Sequence, residues 1–309
     1  MVPTFTRRAI IAWAATALAV VSALGAGGPT PHGASAGGVH PDRAHLVTMV
    51  AAPAQAMSAA PGLTVSIAAL NAGARVVAAH VPAGIVPLTV IDDLKVSAGA
   101  PIFRINKGYT AKQATAIFLD AKAPLHALDR AVTFVAGFSI IVPGQRLSGW
   151  IRLTPGSYVV ASGGFSVQLH TQTFIVDPAP RASTGEPTSV ATIEMRENAF
   201  AMPALLPAGT STLKVVNTDA DAHLAFVSRL AKAVTRQQLL RALALPDAKQ
   251  PAWLHDAPPL GVAGILSHGQ SMWWTLHLPP GHYAITCPLP GPDGKPHVLM
   301  GMFTLFDVR

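Results

Sequence analysis

Cysteine is almost absent. The 309 residues contain one, Cys287, which excludes an intrachain disulfide framework and any zinc site built on two cysteines. Charge is scarce as well: Asp, Glu, Lys and Arg make up 12% of the chain, against about 25% in an average soluble domain. Few charged groups are therefore at hand for chemistry. The formal charge of +7 is spread out, with no dense Lys/Arg run to track a phosphate backbone, so nucleic acid is not expected as a partner. Long uninterrupted helices are disfavoured by 26 glycines and 27 prolines. What remains is a chain that is 50% hydrophobic, which excludes disorder and fits short strands joined by turns. The length predicts two domains, each large enough for its own core.

The N-terminus reads as a targeting segment. Arg7 and Arg8 precede an uncharged apolar run, residues 9–26, that ends in small residues. Thr6-Arg7-Arg8 resembles a twin-arginine export signal, a route that carries folded and often cofactor-loaded proteins. Ala34-Ser35-Ala36 offers a cleavage site, which gives an export signal over 1–36 and a periplasmic or secreted product. The alternative is an uncleaved anchor, since 18 apolar residues lie at the short end of a bilayer span. Residues 37–60, including the Ala-rich stretch from Ala44, then form a linker or membrane tether.

An internal repeat organises the rest. At an offset of 125 residues, Pro82-Ala83-Gly84 meets Pro207-Ala208-Gly209, Thr110 and Gln113 meet Thr235 and Gln238, and Pro155-Gly156 and Tyr158 meet Pro280-Gly281 and Tyr283. Two copies of one domain are predicted, over 61–178 and 188–309, joined by a polar linker at 179–187. Strands are expected at 190–196, 211–217, 224–229, 270–278, 282–287 and 301–308, with Thr-x-x-Gln capping boxes opening one short helix in each copy. The fold class is all-β: two tandem Greek-key β-sandwiches, each with one short helical insertion. Of the tandem tryptophans, one is expected in the core and the other near a surface or the domain interface. His255, His268, His277 and His282 lack partners at metal-ligand spacing and read as surface residues.

The end of the second copy carries the chemistry. Cys287 is followed by a loop and then by His297-Val298-Leu299-Met300-Gly301-Met302, and His223 follows Asn217 by six residues. Taken singly, each of these is more often an ordinary core or loop residue. Together and in this order they resemble the type 1 (blue) copper site of the cupredoxin family, with a ligand loop similar to that of copper nitrite reductases. The resemblance implies one type 1 copper, with His223, Cys287 and His297 as equatorial ligands and Met302 as the axial one. Two departures stand out: the Cys287–His297 loop is longer than in small blue copper proteins, and Leu224 replaces the asparagine that many members carry after the first histidine. At the 125 offset His223 faces Ala98 and Cys287 faces Ser162, so the first copy should be free of copper.

Electron transfer is the function this implies. The chain has no His-x-His pair, and Thr286 and Pro288 flank Cys287, so no second copper centre is expected and the protein reads as not an enzyme. A redox partner should dock near His297 on a rim of Leu289, Pro290, Pro292, Val298 and Leu299, and Lys295 with the overall basic charge favours an acidic one. A Cu(I) carrier or storage protein of the periplasm, without redox cycling, is the competing reading. A purely structural tandem sandwich is the third.

Overall fold

The computed structural model describes residues 62–309, apart from the short stretches 70–72, 77–79, 95–96, 121–122, 124, 165–169, 181–184, 247–248, 256–259 and 292. The export segment and linker expected over 1–60 lie outside the described residues. No helix among the described residues is long and apolar enough to cross a membrane.

The first half contains β1 (Leu63–Ala69), β2 (Gly73–Val76), β3 (His80–Asp92), β4 (Ala98–Ile105), β5 (Val132–Ile141), β6 (Arg146–Leu153), β7 (Gly156–Gly164) and β8 (His170–Pro180). Between β4 and β5 lie two helices, α1 (Ala111–Leu119) and α2 (Leu125–Ala131), so this half carries one more short helix than the single capping box announces. The second half contains β9 (Ala191–Arg196), β10 (Ala199–Ala201), β11 (Leu205–Leu206), β12 (Gly209–Asn217), β13 (His223–Leu230), α3 (Arg236–Leu243), β14 (Val262–Leu266), β15 (Ser271–Leu278), β16 (Gly281–Thr286) and β17 (Phe303–Val308). Both expected capping boxes form. The hydroxyls of Thr110 and Thr235 accept from the N–H of Gln113 and Gln238, whose side chains accept from the cap N–H groups in return.

Two sheets run through both halves. One follows the order β2-β1-β3-β6-β15-β12-β9-β10, with β1–β3 and β9–β12 parallel. The other runs β11-β17-β16-β13-β14-β5-β4-β7-β8 and closes on the start of β3. The halves are thus stitched at β6–β15 and β5–β14, and Ser267 reinforces the seam by exchanging hydrogen bonds with the Phe134 backbone. At β6–β15 the backbones come so close that a Cβ on Gly149 would stand 2.0 Å from the Trp273 carbonyl oxygen, which only glycine tolerates. Alternation along the strands buries one face of each sheet, and one apolar cluster spans both halves, from Leu63 and Phe138 to Cys287 and Met302.

Both tryptophans of β15 are fully buried. Trp274 lies in the shared core near Phe138. Trp273 lies on the seam between the halves under the cations of Arg152 and Lys214, 5.8 and 5.3 Å from its ring, so one indole of the pair packs in the core and the other at the interface. Both cations pair with Glu186, which closes the lid over the indole.

The same local devices recur 125 residues apart. The Tyr158 hydroxyl donates to the Thr154 carbonyl and that of Tyr283 to the Pro279 carbonyl; Tyr158 stacks on Phe174 and Tyr283 on Phe306. Asp92 and Asn217 end β3 and β12 with the same turn, their carbonyls accepting from Gly144 and Gly269 and their Oδ1 atoms from Leu94 and Asp219. Here the halves differ chemically. Asn217 donates its amide to the carbonyls of Asp221 and Leu266, whereas Oδ2 of the buried Asp92 has no partner among the described residues.

Burial pushes the Asp92 carboxyl up to about 6. Because its proton is held more tightly in the folded than in the unfolded chain, its contribution to stability is full below about pH 4 and is lost as pH rises through 6. Asp92→Asn should therefore stabilise the protein at neutral pH by about 2–3 kcal/mol, at about 1.4 kcal/mol per tenfold change in proton affinity. The check is urea unfolding of both proteins at pH 4 and pH 7.5: the two curves should converge at the lower pH and separate at the higher one.

Candidate metal centre

The connection between β16 and β17 is folded back on itself by its own backbone. Cys287 follows the last residue of β16, and its N–H donates to the Met302 carbonyl while its carbonyl accepts from Val298. His297 opens a 3-10 turn, His297–Met300. Its N–H donates to Leu289 and its carbonyl accepts from Met302, 2.9 Å. Gly301 ends that turn with a φ of 108°, a conformation that returns the chain to the sheet and that residues with a Cβ avoid. The Tyr–Phe stacks measure the length of this connection: their offset widens from 125 residues at the tyrosines to 132 at the phenylalanines. The second half therefore has room for a ligand loop that the first half lacks.

Three donor atoms converge there. Sγ of Cys287 stands 3.7 Å from Nδ1 of His223 and 3.6 Å from Nδ1 of His297, and the two Nδ1 atoms are 3.0 Å apart. Bonds of about 2.0 Å to nitrogen and about 2.3 Å to sulfur around a three-coordinate ion separate the donors by roughly 3.5 Å (N to N) and 3.7 Å (N to S). The sulfur edges of the triangle match; the nitrogen edge is shorter. Among the described residues this is the one His/Cys/Asp/Glu group close enough to hold a metal. All three side chains are at most 2% exposed, so nearly all water is excluded. Met302 is fully buried in the same core cluster, and its backbone bonds to both Cys287 and His297.

Electrostatics prepare the site for a soft cation. Burial pushes the Cys287 thiol up to about 12, against the N–H groups of Leu224 and Leu289 that point at its sulfur. Leu224, directly after His223, thus places a backbone donor on the sulfur. Burial and the neighbouring His223 pull His297 down to about 4, against the attraction of Asp221, Asp219 and Asp293. At neutral pH the imidazole of His297 is uncharged and the thiol protonated. Only a cation in contact with the sulfur makes thiolate the stable form.

Sequence reasoning found the donors and missed their supports. Asp219 accepts from Nε2 of His223 at 2.8 Å. Asn217 ties Asp219, Asp221 and Leu266 together, and His268 reaches the Asp219 carbonyl, 2.8 Å. His268 is therefore a brace of the ligand loop as well as an exposed residue. His277 and His282 pair with Thr210 and Asp307 at the far end of the sheet. An acid four residues ahead of a ligand histidine was the available signal, but the segment is a loop, where spacing fixes no direction. The apolar rim around an emergent His297 is corrected: His297, Leu289 and Val298 are all buried. The 289–297 loop, closed by Gly291–Lys295 and Pro290–Pro296 pairing, covers His297 so tightly that a Cβ on Gly291 would lie 3.3 Å from its Nε2.

The thiol proton must leave when a metal binds. Titrating the apoprotein with Cu(II) at pH 7 in weak buffer should release one more proton per copper from the parent than from Cys287→Ser, read by pH-stat.

No protein-family model and no curated protein matches the chain. Solved structures do. The reduced auracyanin of Roseiflexus castenholzii is 21% identical over 40% of this chain and 99% of its own, with a TM-score of 0.27. A multicopper oxidase is 12% identical over 80% of this chain and 88% of its own, TM-score 0.25. The Cu-containing nitrite reductase of Thermus scotoductus is 9% identical over 81% of this chain and 55% of its own, TM-score 0.23. Enzymes stand among these neighbours, which corrects the expectation that the chain is not an enzyme; one sandwich fold hosts both carriers and catalysts, so the lack of a His-x-His pair excludes nothing. The chain folds as two β-sheets shared by its two halves, and the one sulfur and two imidazole nitrogens that converge in the second half are a donor set that suits a single copper ion.

Proposed function

We propose that the chain is an exported electron-transfer protein whose second half would hold one type 1 copper on His223, Cys287 and His297, with Met302 as a further sulfur ligand. The observation that carries this reading is the convergence of one sulfur and two Nδ1 atoms, within 3.7 Å of one another, in a nearly dry pocket. Copper bound there supplies a one-electron couple. The chain's own residues restrain the donors: backbone bonds tie Cys287, His297 and Met302 to one another, and Asn217 ties the loop before His223 to the Leu266 carbonyl. A centre that does not rearrange exchanges electrons with little reorganisation.

Arg7, Arg8 and the apolar run behind them support export to the periplasm or beyond. The devices shared at the 125 offset support reading the halves as copies of one duplicated domain, over 61–178 and 188–309, of which the first, with Ala98 and Ser162 at the ligand positions, holds no copper. Electrons would leave by the edge of His297, under the 289–297 loop, where a redox partner docks. Asp219, Asp221 and Asp293 act on His297, and only Lys295 opposes them in that loop, so the local charge favours a basic partner over the acidic one suggested by the total. Burial of all three donors supports a retained redox centre over a carrier that hands Cu(I) on, because transfer between proteins proceeds through an exposed ligand.

The test is the visible spectrum and voltammetry of the Cu(II)-loaded protein beside Cys287→Ser. An intense thiolate-to-copper band in the parent alone, with a reversible one-electron wave, is expected. Tight Cu(I) binding with no band and no reversible wave would replace this reading with the carrier.

A further inference from the structure

Asp219 reaches the rear of His223. Its Oδ2 lies 2.8 Å from Nε2, its Oδ1 accepts the Ala220 N–H at 2.6 Å, and the carboxylate is 16% exposed against 1% for the imidazole. Resting on the copper reading above, we infer that Asp219 is a positioning residue that fixes the tautomer of His223 and biases the centre towards Cu(II).

The tautomer follows from donor counting. An ionised carboxylate only accepts, so the Nε2 of His223 carries the hydrogen and, in the neutral ring, Nδ1 keeps its lone pair facing Cys287 and His297. The two Nδ1 atoms, 3.0 Å apart, need one hydrogen between them, which then sits on His297. With both rings neutral, His223 is therefore the Nε2–H form and His297 the Nδ1–H form in the metal-free protein. The ligand nearer the carboxylate is ready to bind; the other must move its hydrogen. A carboxylate behind a ligand imidazole also makes that nitrogen more basic, which favours the more highly charged copper state.

The first half supplies an internal control. Leu94 occupies the position of Asp219, and its N–H makes the same turn bond, to Asp92 Oδ1 at 2.9 Å, that Asp219 makes to Asn217. The turn does not need an acid. Asp219, like the ligands, is present only where the donor set is.

Asp219→Asn and Asp219→Leu test this on the full chain. In the metal-free protein, imidazole 15N shifts should place His223 in the Nε2–H form in the parent and in a mixture of forms in both variants. In the copper-loaded protein, mediator titration should show the reduction potential raised in both variants while the thiolate band persists. Removing a support of this kind costs about 10–100-fold in metal affinity, and each tenfold loss confined to Cu(II) raises the potential by about 59 mV. An unchanged tautomer, or an unchanged potential with the band intact, would overturn the inference, as would loss of folding in both variants, since the first half keeps the turn with leucine. A parent without a thiolate band would overturn the copper reading, and the metal-free spectra would still report on the tautomer.

Discussion

A thiol and two imidazoles share one dry pocket, each at most 2% exposed, and this juxtaposition is what the end of the second half is built around. Burying three polar donors together is costly unless something binds them, and here the cost is visible in the thiol held near 12 and the imidazole near 4. The backbone carries that cost by distributing it. Cys287, His297 and Met302 are tied to one another through main-chain bonds, so no donor can withdraw into water without unzipping the strand pair β16–β17. His223 enters from a different strand, β13, paired directly to β16. The centre is therefore pinned across the sheet.

That pinning depends in turn on the seam between the halves. β14, the neighbour of β13, is completed on its other side by β5 of the first half, and β15 by β6. The first half contributes no donor, with alanine and serine at the matching positions, yet it supplies the strands that turn two potential sheet edges into interior pairs. A role for the first half follows from the architecture: its strands complete the sheets on which the donors of the other half are held.

Much of this was legible in the sequence because its signals are local or periodic. Alternating burial gave β12 and β15, and Thr-x-x-Gln gave both helix starts. Order and spacing singled out His223, Cys287 and His297, whose donor atoms the fold brings together, and Met302, which lies in the same core cluster. What was not legible is non-local or directional. The sharing of both sheets requires knowing that Gly149 lets Trp273 approach. The second helix, α2, has no capping signature. Asp219 and His268 lie in loops, where no period says which way a side chain faces. The cover over His297 arises because the long ligand loop pairs with itself at Pro290 and Pro296, so added length buried the histidine instead of exposing it. Asp92 shows the same limit: beside Asn217 it is a one-atom change, and only its enclosed Oδ2 reveals a charge difference.

The central claim is that His223, Cys287 and His297 together bind one copper through two nitrogens and a sulfur. X-ray absorption at the copper edge of the loaded protein tests it directly, because it counts the atoms bonded to the metal. The account predicts one sulfur at about 2.2–2.3 Å and two imidazole nitrogens at about 2.0 Å, with the sulfur shell absent in Cys287→Ser. A shell of nitrogen and oxygen alone in the parent would contradict it.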